Sequence, residues 1–577
     1  MASQVTEDRP VSLTLASGAD SVLSPTDASK PGPAFWMLAL SIILVAACLR
    51  LYRLGSQPLW LDEALSWYRA VTPGGLGAGT VIDYSPPLYY AGLSVWIGLF
   101  GQSETALRAP SAICGILFVG TILWAGRVMF SPRVGLWCGA IAASSPVHVF
   151  YSQEARPYAF LLFLILFIAT GLWRTLCRDP WSRWFLVGMA ATAALFTHYF
   201  AIMALVPMGL FILVVASRMG KTNLLKHLAL VAGICMLILS PWYLIAIPLL
   251  LNYLGGADWV IALWRLIGPH WVPLYSLDML ALGGEAGTPA SVALQHLWNS
   301  TPMLPGLHAL GVVCVVGVAF WFSLPYGDRQ IGVPNMVLRK AWLWILAGGP
   351  LLLLWSASWV QPMYLIGRYD VVALPGVLLL LGAGLAKIHG HRMIGAWLAG
   401  LLALAILVVT TSRTAAYLTA PSTHLSQNTA ELLDDVVADG DAVVFTNLTA
   451  LPVVYYLSRR GYVWRSGSCA KPVTGRQFAC PTFPLETLRA PATYVASRVV
   501  HSQEEVQKDA GLIVASLNSV HSRIWIVVGG PWAMERSDTT LSEPDLSFVK
   551  ALQKLGFTLS AMNSTNTFGI LVFQRGA

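Results

Sequence analysis

The chain has 577 residues, of which 56% are hydrophobic and only 11% charged, with a formal net charge of +8. Soluble domains carry roughly 25% charge, so the composition excludes a soluble globular protein and points to a chain that crosses a bilayer many times. The basic residues are scattered rather than striped, which excludes nucleic acid as a partner. Their placement speaks of topology instead, because Lys and Arg collect in cytoplasmic loops.

Residues 1–33 are polar and rich in Ser, Ala and Pro. They lack the basic-then-apolar order of a cleaved signal and read as a disordered cytoplasmic tail. About 11 apolar runs then approach the roughly 20 residues that span a bilayer: 34–54, 109–126, 135–150, 157–173, 183–198, 199–217, 228–248, 304–324, 341–357, 371–386 and 393–411. The loops holding Arg127 and Arg133, Arg174 to Arg183, Arg218 to Lys226, Arg329 to Lys340, and Lys387 and Arg392 all fall on one side, predicted to be cytoplasmic. The membrane half is accordingly 34–411, with the N-terminus inside and the C-terminus outside.

The first run is followed by Gly55 to Arg69, which carries adjacent carboxylates, Asp62 and Glu63. As a helix it sets Leu61, Leu65 and Tyr68 on one face and Asp62, Ser66 and Arg69 on another, so an interfacial helix is predicted with its acidic side turned to water. Neighbouring helical residues diverge by about 100°. One carboxylate can therefore face a reacting group while the other holds a loop or a basic partner. Two prolines, Pro86 and Pro87, precede an apolar stretch too short to span, predicted as a second membrane-surface helix. The stretch 249–303 is expected to be a long, partly ordered loop of the kind that covers substrates.

Most of the membrane half's acids lie on the outer side, including Asp83, Glu154, Asp258, Glu285 and Asp370. The outer arginines Arg69, Arg108, Arg156, Arg265 and Arg368 sit where topology argues against positive charge, which makes each a candidate anion-binding group. Short outer turns bring Tyr151-Ser-Gln-Glu-Ala-Arg156, His198-Tyr199 and Tyr364-Leu-Ile-Gly-Arg-Tyr-Asp370 close to membrane ends, where they are expected to line one cavity with Asp62. After Thr411 the composition becomes that of a soluble domain. Helices are predicted near 423–438, 451–460 and 546–555, and strands near 441–445, 524–528 and 567–574, giving a small extracytoplasmic α/β domain over 412–577. Cys469 and Cys480 could bridge if that domain is outside.

Five pieces occur in order: Trp60-Leu-Asp-Glu-Ala64, Ser85-Pro-Pro-Leu-Tyr-Tyr90, Glu104-Thr-Ala-Leu-Arg-Ala-Pro-Ser-Ala112, Ser145-Pro-Val-His-Val-Phe-Tyr-Ser-Gln-Glu-Ala-Arg156 and Thr197-His-Tyr-Phe200. Together, over roughly residues 35–390, they resemble the bacterial GT-C membrane glycosyltransferases related to protein O-mannosyltransferases, and more distantly the lipid A aminoarabinose transferase. The resemblance implies an α-helical polytopic GT-C fold and transfer of a sugar from a polyprenyl-phosphate donor to an acceptor protein, glycan or lipid, outside the cytoplasmic (inner) membrane. It makes Asp62 the catalytic aspartate and Glu63 its acidic neighbour. The residues expected around the substrates are Arg108, Tyr151, Gln153, Glu154, Arg156, His198, Arg368 and Tyr369. Some relatives use a divalent metal, and His198 with Glu63 or Glu154 could contribute to one, although none has metal-ligand spacing. A flippase or transporter without transferase activity is the alternative. It fits less well because the spans carry few charges at their centres.

Overall fold

A computed structural model describes residues 31–72, 85–255, 261, 264–265, 267–284, 307–325, 336–420, 426–438, 441–446, 450–465, 468–471, 476–479, 482–483, 503–515, 517, 523–529, 545–564 and 568–575. The expected cytoplasmic tail before residue 31, Asp83, Asp258, Glu285, Arg329 and Cys480 lie outside the described residues. Every predicted span falls on a helix. Among the described residues, eight helices are long and apolar enough to cross a membrane, and up to nine with one bent pair, Pro132–Ser144 and Pro146–Ser152. The two remaining spans are 17-residue helices, Trp181–Thr197 and Leu307–Ser323. The stretch from 249 does not begin as a loop: it continues the helix Thr222–Gly255.

The span expected at 135–150 falls on the bent pair. Its two halves diverge by 63°. Pro146 has no N–H to donate and its ring clashes with the carbonyl four residues back, so the Ala142 and Ala143 carbonyls lose their intrahelical partners. Arg50, near the end of the first helix Pro33–Leu51, takes their place. Its guanidinium donates to Ala142 O (3.0 Å) and Ala143 O (3.1 Å), and lies 2.7 Å from His148 Nδ1.

The helix Leu374–His389 is apolar all round and buried along its length, as such a helix must be. Glycines permit this: a Cβ on Gly376 would sit 2.3 Å from Ala347 N, and one on Gly382 2.7 Å from Cys138 N.

The basic loop residues gather at one end. Arg127 lies over Trp36, Arg339 over Trp173, Lys221 donates to Leu176 O, and Lys340 and Lys387 both donate to Leu324 O. These are helix-end carbonyls and aromatic faces, natural seats for cations. The acidic and arginine-bearing turns lie at the other end.

On that other end sits a mixed sheet in the order β2-β3-β4-β1-β6-β8-β7, with β5 also paired to β1. Its strands are Ala442–Thr446 (β1), Val463–Arg465 (β2), Ser468–Lys471 (β3), Arg476–Ala479 (β4), Thr482–Phe483 (β5), Ile524–Gly529 (β6), Phe557–Ser564 (β7) and Phe568–Arg575 (β8). β1 and β6 run parallel, with Ala442 opposite Ile524, and β6–β8–β7 is antiparallel. Alternation divides the strands cleanly. Ala442, Val444, Ile524, Ile526, Leu571 and Phe573 pack on helices Gln503–Ala515 and Asp545–Lys554. Val443, Phe445, Trp525, Val527, Ile570 and Val572 face the opposite way and share one core with Tyr455 and Tyr456, with Leu59 and Trp67, and with Tyr90 and Ala155 of the membrane half. The apolar stretch after Pro86 and Pro87 is a helix, Leu88–Phe100.

Candidate active site

The acidic helix runs Leu61–Val71, so both carboxylates occupy its first turn, where the helix dipole favours negative charge. It is not half-solvated as its amphipathic pattern predicts: Glu63, Ser66 and Arg69 are all buried. The reason is tertiary. The helix is enclosed between Leu88–Phe100 and a helix of the C-terminal layer, Ala450–Arg459, with Leu451 against Ala64 and Leu65.

The two carboxylates diverge, and their partners differ. Glu63 forms a two-pronged bridge with Arg108, Nε to Oε1 at 2.7 Å and Nη2 to Oε2 at 2.6 Å, and accepts the Ala155 N–H at 2.9 Å. Arg108 also donates to Leu54 O and Gln57 O, at 3.0 and 2.9 Å. The loop before the helix, the bridge and the 153–157 turn are thus fastened at one point. Such fork-to-fork pairs are strong and geometrically exacting. Asp62 retains 15% side-chain exposure; its Oδ2 contacts Arg368 Nη2 and lies 3.8 Å from Arg156 Nη2.

Arg156 reaches further along the helix, to Asp62 O at 3.3 Å and Ser66 Oγ at 3.5 Å, and to Tyr90 OH at 3.4 Å. Arg368 donates through Nε to Tyr158 OH at 3.1 Å. Burial works to neutralise Arg368, but the Asp62 carboxylate beside it prevails and keeps its pKa well above the ordinary value. Where Arg368 is held charged, Glu154 is driven toward its neutral form. Burial, and then the charges of Glu63 and Asp62, raise its pKa well above the carboxylate range, with Arg108 and Arg156 only partly offsetting them. No ion pair joins Glu154 to Arg156 among the described residues.

The remaining expected residues frame this cluster. Tyr151 OH donates to Gly367 O at 2.5 Å and so pins the turn that carries Arg368. His198 accepts the Phe200 N–H on Nδ1 at 3.2 Å, with its ring 5.3 Å from Tyr158 and 6.2 Å from Tyr369. Tyr369 stacks on Phe200 at 4.1 Å. Gln153 stands apart in role: its amide donates to Leu49 O, Arg50 O and Tyr52 O, capping the first helix. Among the described residues no group of three or more His, Cys, Asp or Glu is placed to hold a metal ion.

Tyr90, at the end of the Ser85–Tyr90 motif, and Tyr158, two residues after Arg156, carry no role predicted from sequence. Both prove to hold arginines, Tyr90 with its ring 3.9 Å from the Arg69 guanidinium as well as its hydroxyl near Arg156. Two aromatics beside Pro-Pro, and another just after Arg-Pro, were the available signal.

Residues 84–245 match the family model described as dolichyl-phosphate-mannose-protein mannosyltransferase. No curated protein matches the chain. Among solved structures, ArnT from Cupriavidus metallidurans in the apo state is similar at TM-score 0.55 and 14% identity, over 93% of this chain and 98% of that one. The same protein bound to undecaprenyl phosphate is similar at TM-score 0.45 and 15% identity, over 94% and 98%. The S. cerevisiae protein O-mannosyltransferase Pmt1-Pmt2 complex bound to the sugar donor is similar at 0.33 and 15%, over 40% and 35%. Residues 84–245 thus resemble the dolichyl-phosphate-mannose-protein mannosyltransferase family, and the chain as a whole shares its fold with ArnT.

Proposed function

We propose that this protein transfers a sugar from a polyprenyl-phosphate carrier to an acceptor hydroxyl at the outer face of the cytoplasmic membrane, with inversion and with Asp62 as general base. The observation that carries the reading is the division of labour between adjacent carboxylates. Glu63 is committed to Arg108, whereas Asp62 is the partly exposed one, bracketed by two arginines.

In the resting state Arg368 and Arg156 hold Asp62. An arriving phosphodiester competes for the same guanidinium donors and frees the carboxylate to accept a proton. The acceptor oxygen then attacks the anomeric carbon, its proton passes to Asp62, and the bond from that carbon to the phosphate oxygen breaks. The phosphate goes from one negative charge to two while Asp62 loses its own, so total charge is conserved. The arginines interact more strongly with the departing phosphate than with the bound diester, which is the requirement for accelerating the step. A single carboxylate acting as base, rather than as nucleophile, implies inversion. Glu63 positions the helix, and Glu154 feels the charges of both acids. The donor class is supported by the family matched over 84–245.

The test uses purified protein in liposomes with a radiolabelled polyprenyl-phosphate sugar and extracted envelope acceptors. Asp62→Asn should insert and melt normally yet lose at least about 100-fold in transfer rate. Near-normal turnover in that variant removes Asp62 from the mechanism. Movement of the labelled lipid across the bilayer without transfer would instead favour a flippase.

A further inference from the structure

The loop that delivers Asp62 is held by the C-terminal layer on both sides of one residue. Leu59, three residues before Asp62 and fully buried, donates its N–H to Tyr456 OH at 2.9 Å, and its carbonyl accepts from Ser426 Oγ at 3.1 Å. Beside it, Gln57 Nε2 donates to Ala420 O at 3.2 Å. The far side of the acidic helix is clasped too. Trp67 Nε1 donates to Gln102 Oε1 at 2.7 Å, Tyr455 OH donates to Gln102 O at 2.6 Å, and the Trp67 and Tyr455 rings meet edge to face at 5.2 Å. An ion pair between Arg459 and Glu104 closes the rim at 2.6 Å. Leu59, Trp67, Tyr455 and Tyr456 belong to the same core as the strand residues Val443 and Trp525. A packed core transmits displacement rather than absorbing it.

We propose that the C-terminal layer is a working part of the active site: Tyr456 and Ser426 are positioning residues that fix Leu59 and thereby set where Asp62 points. The proposal rests on Asp62 being the base, but its geometry is independent of which sugar or acceptor is used. Without Tyr456 the buried Leu59 N–H has no partner, a loss large enough to shift the loop rather than be tolerated in place. Small misplacements of a catalytic group cost rate more than binding.

The experiment compares full-length Tyr456→Phe, Ser426→Ala and Arg459→Ala with the parent protein. The expected result for Tyr456→Phe is a fall of about tenfold in kcat with the donor KM unchanged, together with faster amide exchange at Leu59. In an Asp62→Asn background the same substitution should leave residual transfer unaltered, because it acts through Asp62. Ser426→Ala should give a smaller loss of the same kind. Arg459→Ala, at the rim of the same interface, should leave kcat unchanged. The proposal is overturned if Tyr456→Phe keeps full kcat, if it costs the same factor with and without Asp62, or if Arg459→Ala lowers kcat equally, since that would mean general loosening of the interface. Unchanged exchange at Leu59 would also overturn it. Should Asp62→Asn alone prove active, the base assignment fails, while Leu59 exchange still reports on the clasp.

Discussion

The two ends of the helical bundle both carry cations, yet they seat them differently. At the basic end Lys221, Lys340 and Lys387 donate to carbonyls at helix termini, and Arg339 lies over Trp173. At the acidic end Arg108, Arg156 and Arg368 are paired with carboxylates inside a largely buried cluster. Carbonyl seats hold a charge in place with little consequence for the neighbours. Carboxylate seats in a poorly solvated site make each charge depend on the next, and that interdependence lets an incoming anion rearrange the site.

The sharpest way to break the contrast is to remove one member of the buried bridge. Arg108→Ala leaves Glu63 charged and enclosed, and should lower stability by about 3–5 kcal/mol, seen as a large fall in melting temperature in detergent. Adding Glu63→Gln should recover much of that loss. Arg368→Ala should leave stability closer to the parent but cut transfer by about 100-fold, the scale of losing one donor to a developing negative charge; single-turnover rates with saturating donor would show it.

A subtler effect is expected from Glu154. Its raised pKa means that the folded protein binds more protons than the unfolded chain between the ordinary value of 4.5 and the raised one. Its contribution to stability is therefore complete below the ordinary value and is lost as pH rises through the raised one. Glu154→Gln should flatten that decline, and melting curves at several pH values above 4.5 would measure the difference in slope. The smallest effect belongs to the other end. Lys221→Ala gives up one contact with a helix terminus, worth about 0.3–1 kcal/mol, and should not change transfer. A comparable loss of activity there would erase the distinction between the ends.

Much of this was readable beforehand, for physical reasons. Length and apolarity mark a span, and basic loops mark a side, so the helices and the segregation of charge follow from local composition. Arg156 and Arg368 could be nominated because topology makes outer arginines unusual, and Asp62 because the Trp60–Ala64 motif resembles that of the family. The Glu63–Arg108 bridge could not, since its partners lie 45 residues apart and nothing local selects one arginine over another. Pro146 was visible, but not that Arg50 would cap the carbonyls it frees. The acidic helix reads as half-solvated because its own pattern is amphipathic; the Tyr455 and Leu451 that cover it come some 390 residues later. In the C-terminal layer β1, β6 and β8 stand out as short apolar runs, whereas the more polar β7 does not, and β2 to β5, of two to four residues each, are too short to carry a period.

The contact between Leu59 and Tyr456 spans 397 positions of the chain. At ribosomal speeds of roughly 5–20 residues per second, about 20–80 s separate the emergence of the two partners. During that interval the newborn chain already has its first helices but lacks the tyrosine that holds Leu59. On the proposed function, transfer would then begin only once the C-terminal layer is translated, and incomplete chains left in the membrane would not consume the carrier lipid.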